Sequence, residues 1–301
     1  MSSKLIIGFD GTPQGDDAVA LGRLLAQSLG YRAVLTTVVP SGPGIAGGPK
    51  EKVLADARER LERVAAERMG GTGVEIDVVA NRSPARGLYL LAAEHKAGAI
   101  VVGSTHKGPL GRVVRGSVGD NLLNGAPCAV AVAPRGYAAE EEHRLLRLGV
   151  AYDGSDESRA ALQAAIALAE RFHARLAITT VAEPAPMGYG AALAVISAGD
   201  WEAFEVESKE TVLNEALEAV PPNLPVDGRI RRGSAIRELV EASSELDLLV
   251  LGSRGYGPVR RVVLGSTAAG VVDAAHCPVM VLARGAGADP LGLAPATERE
   301  E

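Results

Sequence analysis

"VLGSRGYGPVRRVVLGSTAAG", residues 250–270, sets Gly252, Gly255 and Gly265 and a serine, Ser266, around a short basic stretch that follows an apolar run. Main-chain N–H groups at a helix start attract anions, because they lack intrahelical partners and the helix dipole points the same way. Glycine keeps side chains out of that approach. The stretch reads as a strand ending at Gly252, a loop shaped by Gly255 and Gly257, and a helix opened by Gly265-Ser266, with Ser266 and Thr267 adding hydroxyl donors. No Lys-Ser or Lys-Thr follows the glycines, so this is not a P-loop. A dinucleotide G-x-G-x-x-G would sit after the first strand, and it does not.

The stretch occurs twice. Residues 103–133 set against 252–282 give thirteen identities in thirty-one positions without a gap, and both cysteines, Cys128 and Cys277, coincide. "LIIGFDGTPQGDDAVALGRLLAQSL" near the start and "RLGVAYDGSDESRAALQAAIALAERF" at the middle repeat a second pattern: apolar run, Asp-Gly turn, amphipathic helix. The first copy keeps Gly103, Gly108, Gly116 and Ser117, with Val118 where the second has Thr267, but His106 replaces the second glycine of the spacing. A side chain there either crowds an anion or, with Lys107, adds a donor.

Strand-like runs near 4–9, 32–39, 73–80, 98–103 and 129–133 alternate with helical patterns near 13–29, 50–69, 84–96 and 116–124. The second copy places strands near 147–152, 175–181, 226–231, 247–252 and 279–283, and helices near 156–172, 201–219, 234–244 and 265–275. Strict alternation, with continuously apolar runs such as "AIVVG" and "LLVLG", predicts parallel strands covered by helices on both faces. Thr12 and Ser155 are candidate helix caps, Pro13 suits a first helical position, and Gly8, Gly11 and Gly154 read as tight-turn glycines. The charged stretch "EKVLADARERLERVAAER" reads as the solvated face of an amphipathic helix. The expected units are 1–138 and 144–284, divided within "PRGYAAEEEHRLLR" (134–147), with a disordered tail at 285–301. Passages 40–49 and 183–200, rich in glycine, alanine and proline, read as loops, with lids over a ligand as the sharper alternative.

Composition narrows the function. At 301 residues, with 47% hydrophobic content, the chain can bury two cores. A net charge of -6 and a pI near 5.5 disfavour a broad grip on nucleic acid or an anionic membrane. No run approaches the roughly eighteen apolar residues of a membrane span, and the N-terminus lacks a secretory pattern, so a cytoplasmic place is expected. Two cysteines and five scattered histidines supply neither a disulfide framework nor a zinc quartet, and both cysteines read as small buried residues.

The spacing G-x2-G-x9-G-[S/T], from Gly252 to Ser266, resembles the ATP-binding signature of the universal stress protein family. Asp10 and Asp153, each ending a first strand, match that family too, and the resemblance runs over both copies from about residue 1 to 284. It implies an α/β fold of two tandem doubly wound parallel five-stranded sheets, strand order 3-2-1-4-5, of the adenine nucleotide alpha hydrolase-like kind. In that order a ligand crevice opens where the chain reverses direction, between strands one and four. The resemblance implies ATP, with Mg2+ as a candidate companion. Asp153 would meet the adenosine part, Val181 the adenine, and Gly252, Gly255, Gly265, Ser266 and Thr267 the ribose and phosphates. In the first copy the corresponding residues are Asp10, Val38, Gly103, Gly116, Ser117 and Val118.

Taken alone, Asp153 reads as an Asx-turn and Val181 as core packing. Arg112, Arg260 and Arg261 are candidate phosphate neighbours or solvated helix-end side chains. The family resemblance also implies pairing of the last strands, bearing Val130, Val132, Val279 and Val281, as an internal pseudo-dimer; association of two whole chains as a homodimer stays open. The leading expectation is an ATP-binding regulatory or stress-response protein with slow hydrolysis at most, since no clear base or carboxylate pair accompanies the anion site. The alternatives are a nucleotide-dependent enzyme of slow-ATPase or adenylating type, the latter counted against by the absence of an S-G-G-x-D-S-like loop, and an interaction scaffold that binds no nucleotide.

Overall fold

Mostly apolar runs become the strands, and the periodic segments between them become the helices. The first copy runs β1 (Lys4–Gly8), α1 (Pro13–Leu29), β2 (Arg32–Val39), α2 (Glu51–Arg68), β3 (Glu75–Ala80), α3 (Pro84–His95), β4 (Ala99–Gly103), α4 (Ser117–Leu123) and β5 (Ala129–Ala133). The second runs β6 (Arg147–Ala151), α5 (Asp156–Phe172), β7 (Arg175–Ala182), α6 (Ala198–Glu218), β8 (Val226–Arg232), α7 (Ala235–Ser243), β9 (Leu248–Leu251), α8 (Ser266–Val272) and β10 (Val279–Val281). This computed structural model describes residues 3–41, 51–70, 73–105, 109–140, 142–184, 198–253, 262, 264–283 and 291. His106, Lys107, Gly108, Gly255, Gly257, Arg260 and Arg261 lie outside the described residues, as do most of the two candidate lid passages and, except for Leu291, the tail after 283.

Helix starts follow the chemistry of their caps. Thr12 precedes α1 and its hydroxyl accepts the Gly15 N–H at 3.3 Å; Pro13 takes the first helical position, and Gly30 ends the helix at φ 65°. Ser155 does the same for α5, accepting the Ser158 N–H at 3.2 Å. Gly11 and Gly154 have φ of 81° and 84°, the left-handed turn expected of them. Gly8 departs from that expectation. It is the last residue of β1, paired with Thr36 of β2, and the Leu88 side chain occupies the space beside it.

Each copy orders its strands 3-2-1-4-5, with β1 between β2 and β4 and β6 between β7 and β9, all parallel. Side chains alternate between two cores. Leu5 and Ile7 of β1 face α1 and α2, whereas Ile6 faces α3 and α4, and all three are fully buried. α2 buries only Ala57, Leu61, Val64 and Ala65, and pairs Arg63 with Glu59 on its wet side. Both cysteines are buried, which pushes the Cys128 thiol up to about 12 and raises Cys277 as well.

The two sheets join edge to edge. β5 and β10 pair antiparallel, Val279 opposite Val132 and Val281 opposite Val130, so ten strands form one sheet in the order β3-β2-β1-β4-β5-β10-β9-β6-β7-β8. The connection between the copies is folded rather than loose. Buried Asp17 of α1 accepts the N–H groups of Gly136 and Ala138, both at 2.8 Å, where a short 3-10 turn (Tyr137–Ala139) lies on α1. Burial raises the Asp17 carboxyl above its ordinary range, and the two amides only partly offset it. Tyr137 stacks on His143 with ring centroids 3.7 Å apart.

Candidate functional site

Each copy carries a cleft where the carboxyl ends of its strands one and four meet. In the second copy the turn after β6 presents Asp153, whose Oδ1 accepts the Ser155 N–H at 3.0 Å and hydroxyl at 2.5 Å. The Asx-turn is therefore real, yet it leaves the residue exposed at the cleft rather than consumed in the fold. Desolvation alone would raise this carboxyl, but the Ser155 hydroxyl and amide, the Ser158 hydroxyl and the Lys209 ammonium outweigh it and hold its pKa below the usual range. Val181, half-buried in β7, forms part of the same wall.

The opposite wall is built from the 250–270 stretch. Gly252 follows β9, and Gly265 sits before α8 at φ -76° with no side-chain cap. Ser266 and Thr267 are exposed and line the cleft, and the start of α8 has no side-chain cap. The cleft encloses about 590 Å³ and brings together Asp153, Val181, Gly252, Gly265, Ser266 and Thr267 from four separate elements and their loops. Gly255, the seventh expected residue, lies outside the described residues.

Sequence reasoning missed the rest of this lining. α6 places Glu205 and Lys209 over the cleft, the first turn of α5 contributes Glu157, and Glu183 after β7 lines it while accepting the Ala235 N–H at the start of α7, at 3.0 Å. Glu157 was within reach, since it sits in the first turn after an Asp-Gly pair. Glu205 and Lys209 had no sequence signal, because only the tertiary placement of α6 brings them there. Buried Ser253 also lines the cleft, and its hydroxyl has no partner among the described residues.

The first copy gathers Asp10, Val38, Gly103, Gly116, Ser117 and Val118 around a smaller cleft of about 310 Å³. Asp10 Oδ1 accepts the Thr12 N–H at 3.0 Å and hydroxyl at 2.6 Å, repeating the Asp153 turn. A Cβ on Gly116 would meet nothing nearer than Thr105 at 3.7 Å, so this glycine leaves the cleft open. Gly103 and Gly252 have a different necessity. A Cβ on Gly103 would overlap the Gln14 carbonyl, and one on Gly252 would come within 2.6 Å of the Glu157 carbonyl. These strand-end glycines let the first turn of α1 or α5 press against the sheet. Arg112 is not in the lining: its charge acts on His276 of the second copy, whose pKa is lowered by burial first and by Arg112 second.

The sequence profile of the universal stress protein family matches residues 1–134 and again 145–283. The chain belongs to the universal stress protein family. It is a tandem member, because both copies match. A universal stress protein of Mycolicibacterium smegmatis is 29% identical over 297 residues, covering 92% of this chain and 96% of that one. One from Mycobacterium tuberculosis is 28% identical over 240 residues, 77% of this chain and 80% of that one. In three dimensions, a universal stress protein from Archaeoglobus fulgidus superimposes with a TM-score of 0.66 at 19% identity, covering 95% of this chain and all of the other, which supports the shared α/β fold. Among the described residues of this universal stress protein, no helix is long and apolar enough to cross a membrane, and no cluster of three or more His, Cys, Asp or Glu is arranged to hold a metal.

Proposed function

We propose that this universal stress protein is a cytoplasmic regulatory binder of adenine nucleotide, with ATP as the ligand of both clefts and the second cleft, which keeps the full glycine spacing, the better supported of the two. The observation that carries the reading is the second cleft itself. Residues far apart in the chain, Asp153, Val181, Gly252, Gly265, Ser266 and Thr267, line one cavity of about 590 Å³ at the place where an open parallel sheet reverses its winding. A carboxylate and a β7 wall at one side, with open main-chain donors and two hydroxyls at the other, suit a ligand with a hydrogen-bonding base or sugar and an anionic end. Ser253 adds a buried hydroxyl without a protein partner among the described residues, which a bound ligand can satisfy.

Mg2+ travels with the ATP on this reading. Asp153, Glu157, Glu183 and Glu205 line the cleft against Lys209, so the described lining carries a surplus of negative charge that repels a bare triphosphate. Binding rather than turnover is the role, and the β5–β10 pairing supports reading the two copies as an internal pseudo-dimer, each holding one nucleotide.

Calorimetric titration with ATP, ADP and AMP in the presence of magnesium tests the reading. The unaltered protein takes up two equivalents of ATP. Gly265→Trp fills the second cleft and leaves one, and Gly116→Trp removes the other. Absence of saturable adenine-nucleotide binding to the unaltered protein overturns the proposal.

A further inference from the structure

Neither glycine loop is held by its own copy alone. The Val113 N–H donates to the Ala275 carbonyl and the Val262 N–H to the Ala126 carbonyl, each at 2.9 Å. Val113 and Val262 occupy the same place in the two copies, as do Ala126 and Ala275, so the ties are reciprocal. Each runs from a loop that borders one cleft to the turn that follows the last helix of the other copy.

Among the described residues, a further tie runs in only one direction. Arg115, immediately before Gly116, donates to Asp273 at the end of α8 through Nε to Oδ1 at 2.8 Å and Nη2 to Oδ2 at 2.6 Å. Its main-chain N–H also reaches Oδ1 at 3.3 Å, and Nη1 holds Asp120 of α4 at 2.7 Å. The fork therefore fixes main chain as well as side chain, and Arg115 is mostly buried, 19% exposed, so solvent screens the pair less than it would a surface one. The matching residues in the other direction are Leu264 and Asn124, an apolar side chain and an amide that turns back to its own helix at Asp120.

We propose that Asp273 of the second copy is a positioning residue for the first cleft, setting the Arg115-Gly116-Ser117 edge from outside the copy that owns it. The two copies are then not independent binders on one chain: the first cleft is assembled from both. The inference rests on the nucleotide reading for its affinity arm and stands apart from it for its exchange arm.

The test uses the full chain and magnesium-ATP as probe. In the Gly265→Trp background, which leaves only the first cleft, Asp273→Asn and Arg115→Leu each weaken ATP binding on the order of tenfold. In the Gly116→Trp background, which leaves only the second, the same changes alter affinity by less than about twofold, a selectivity that general destabilisation would not produce. Amide hydrogen exchange of the ligand-free Asp273→Asn protein rises across 113–118 and stays unchanged across 264–268. Equal losses at both clefts, an unchanged first-cleft affinity, or unchanged exchange across 113–118 each overturn the proposal. If the unaltered protein binds no ATP, the nucleotide reading falls and the exchange result alone decides the positioning role.

Discussion

The two clefts descend from one sequence pattern, yet they are held together differently. In the first, Ser104 clamps the glycine loop: its hydroxyl accepts the Val114 N–H at 2.6 Å and donates to the Val114 carbonyl at 2.8 Å. In the second, Ser253 occupies the same place in the repeat and has no partner among the described residues, while α6 brings Glu205 and Lys209 over a cavity of about 590 Å³ against 310 Å³. No residue of α2 lines the first cleft. Duplication preserved the placement of the site and let its lining diverge.

The strongest way to break this comparison attacks what the copies share. Gly103→Ala drives a Cβ into the Gln14 carbonyl, and overpacking of this kind costs about 1–3 kcal/mol of stability. Gly252→Ala meets the Glu157 carbonyl at 2.6 Å and costs somewhat less. Urea unfolding of both variants measures the order; two neutral substitutions would show that the strand-end glycines are not packing requirements.

Replacing the clamp separates the copies. Ser104→Ala takes the hydroxyl partner from the half-buried Val114 N–H and costs about 1 kcal/mol, whereas Ser253→Ala removes a hydroxyl with no partner among the described residues and costs less. Equal losses in thermal unfolding would mean that the two loops are braced alike.

The smallest effect concerns the seam. Burial pushes the Asp273 carboxyl up, but the hydrogen bonds and charge of Arg115 outweigh it, so its pKa is lowered in the folded protein. A lowered carboxyl contributes stability above its unfolded value, near pH 4, and that contribution is lost as pH falls through the folded one. Asp273 is 41% exposed, so the contribution is discounted to less than about 1 kcal/mol. Asp273→Asn should flatten the acid limb of stability against pH by that amount. Asp17 acts with the opposite sign, because its raised carboxyl takes up a proton on folding and favours the folded state as pH falls. A variant curve as steep as the original would remove the ion pair from the account of the seam.

Much of the fold was legible because its causes are local. Thr12-Pro13 and Ser155 start their helices by their own chemistry, and runs such as Ala99–Gly103 are apolar on both faces because both faces are covered. The clefts were legible through Gly265-Ser266 and Gly116-Ser117. What the sequence concealed depends on long-range meetings. Asp17 reads as an ordinary polar helix residue until Gly136 and Ala138 bring it two amides. Gly103 and Gly252 read as anion-loop glycines, and their measurable necessity is the close approach of the α1 or α5 backbone. Lys209 reads as helix surface until α6 is laid over Asp153.

The pairing of β5 with β10 has a consequence for biosynthesis. Residues 129–133 leave the ribosome about 150 residues before their antiparallel partner at 279–281 exists. At elongation speeds of about 5–20 residues per second, that interval lasts roughly eight to thirty seconds. During it the first copy can complete its own parallel sheet, but Ala129–Ala133 remains an edge of small and branched apolar residues, with unpaired main-chain groups and no charge to deter a neighbour. Nascent chains on adjacent ribosomes present the same edge to one another until the last strand arrives to cover it.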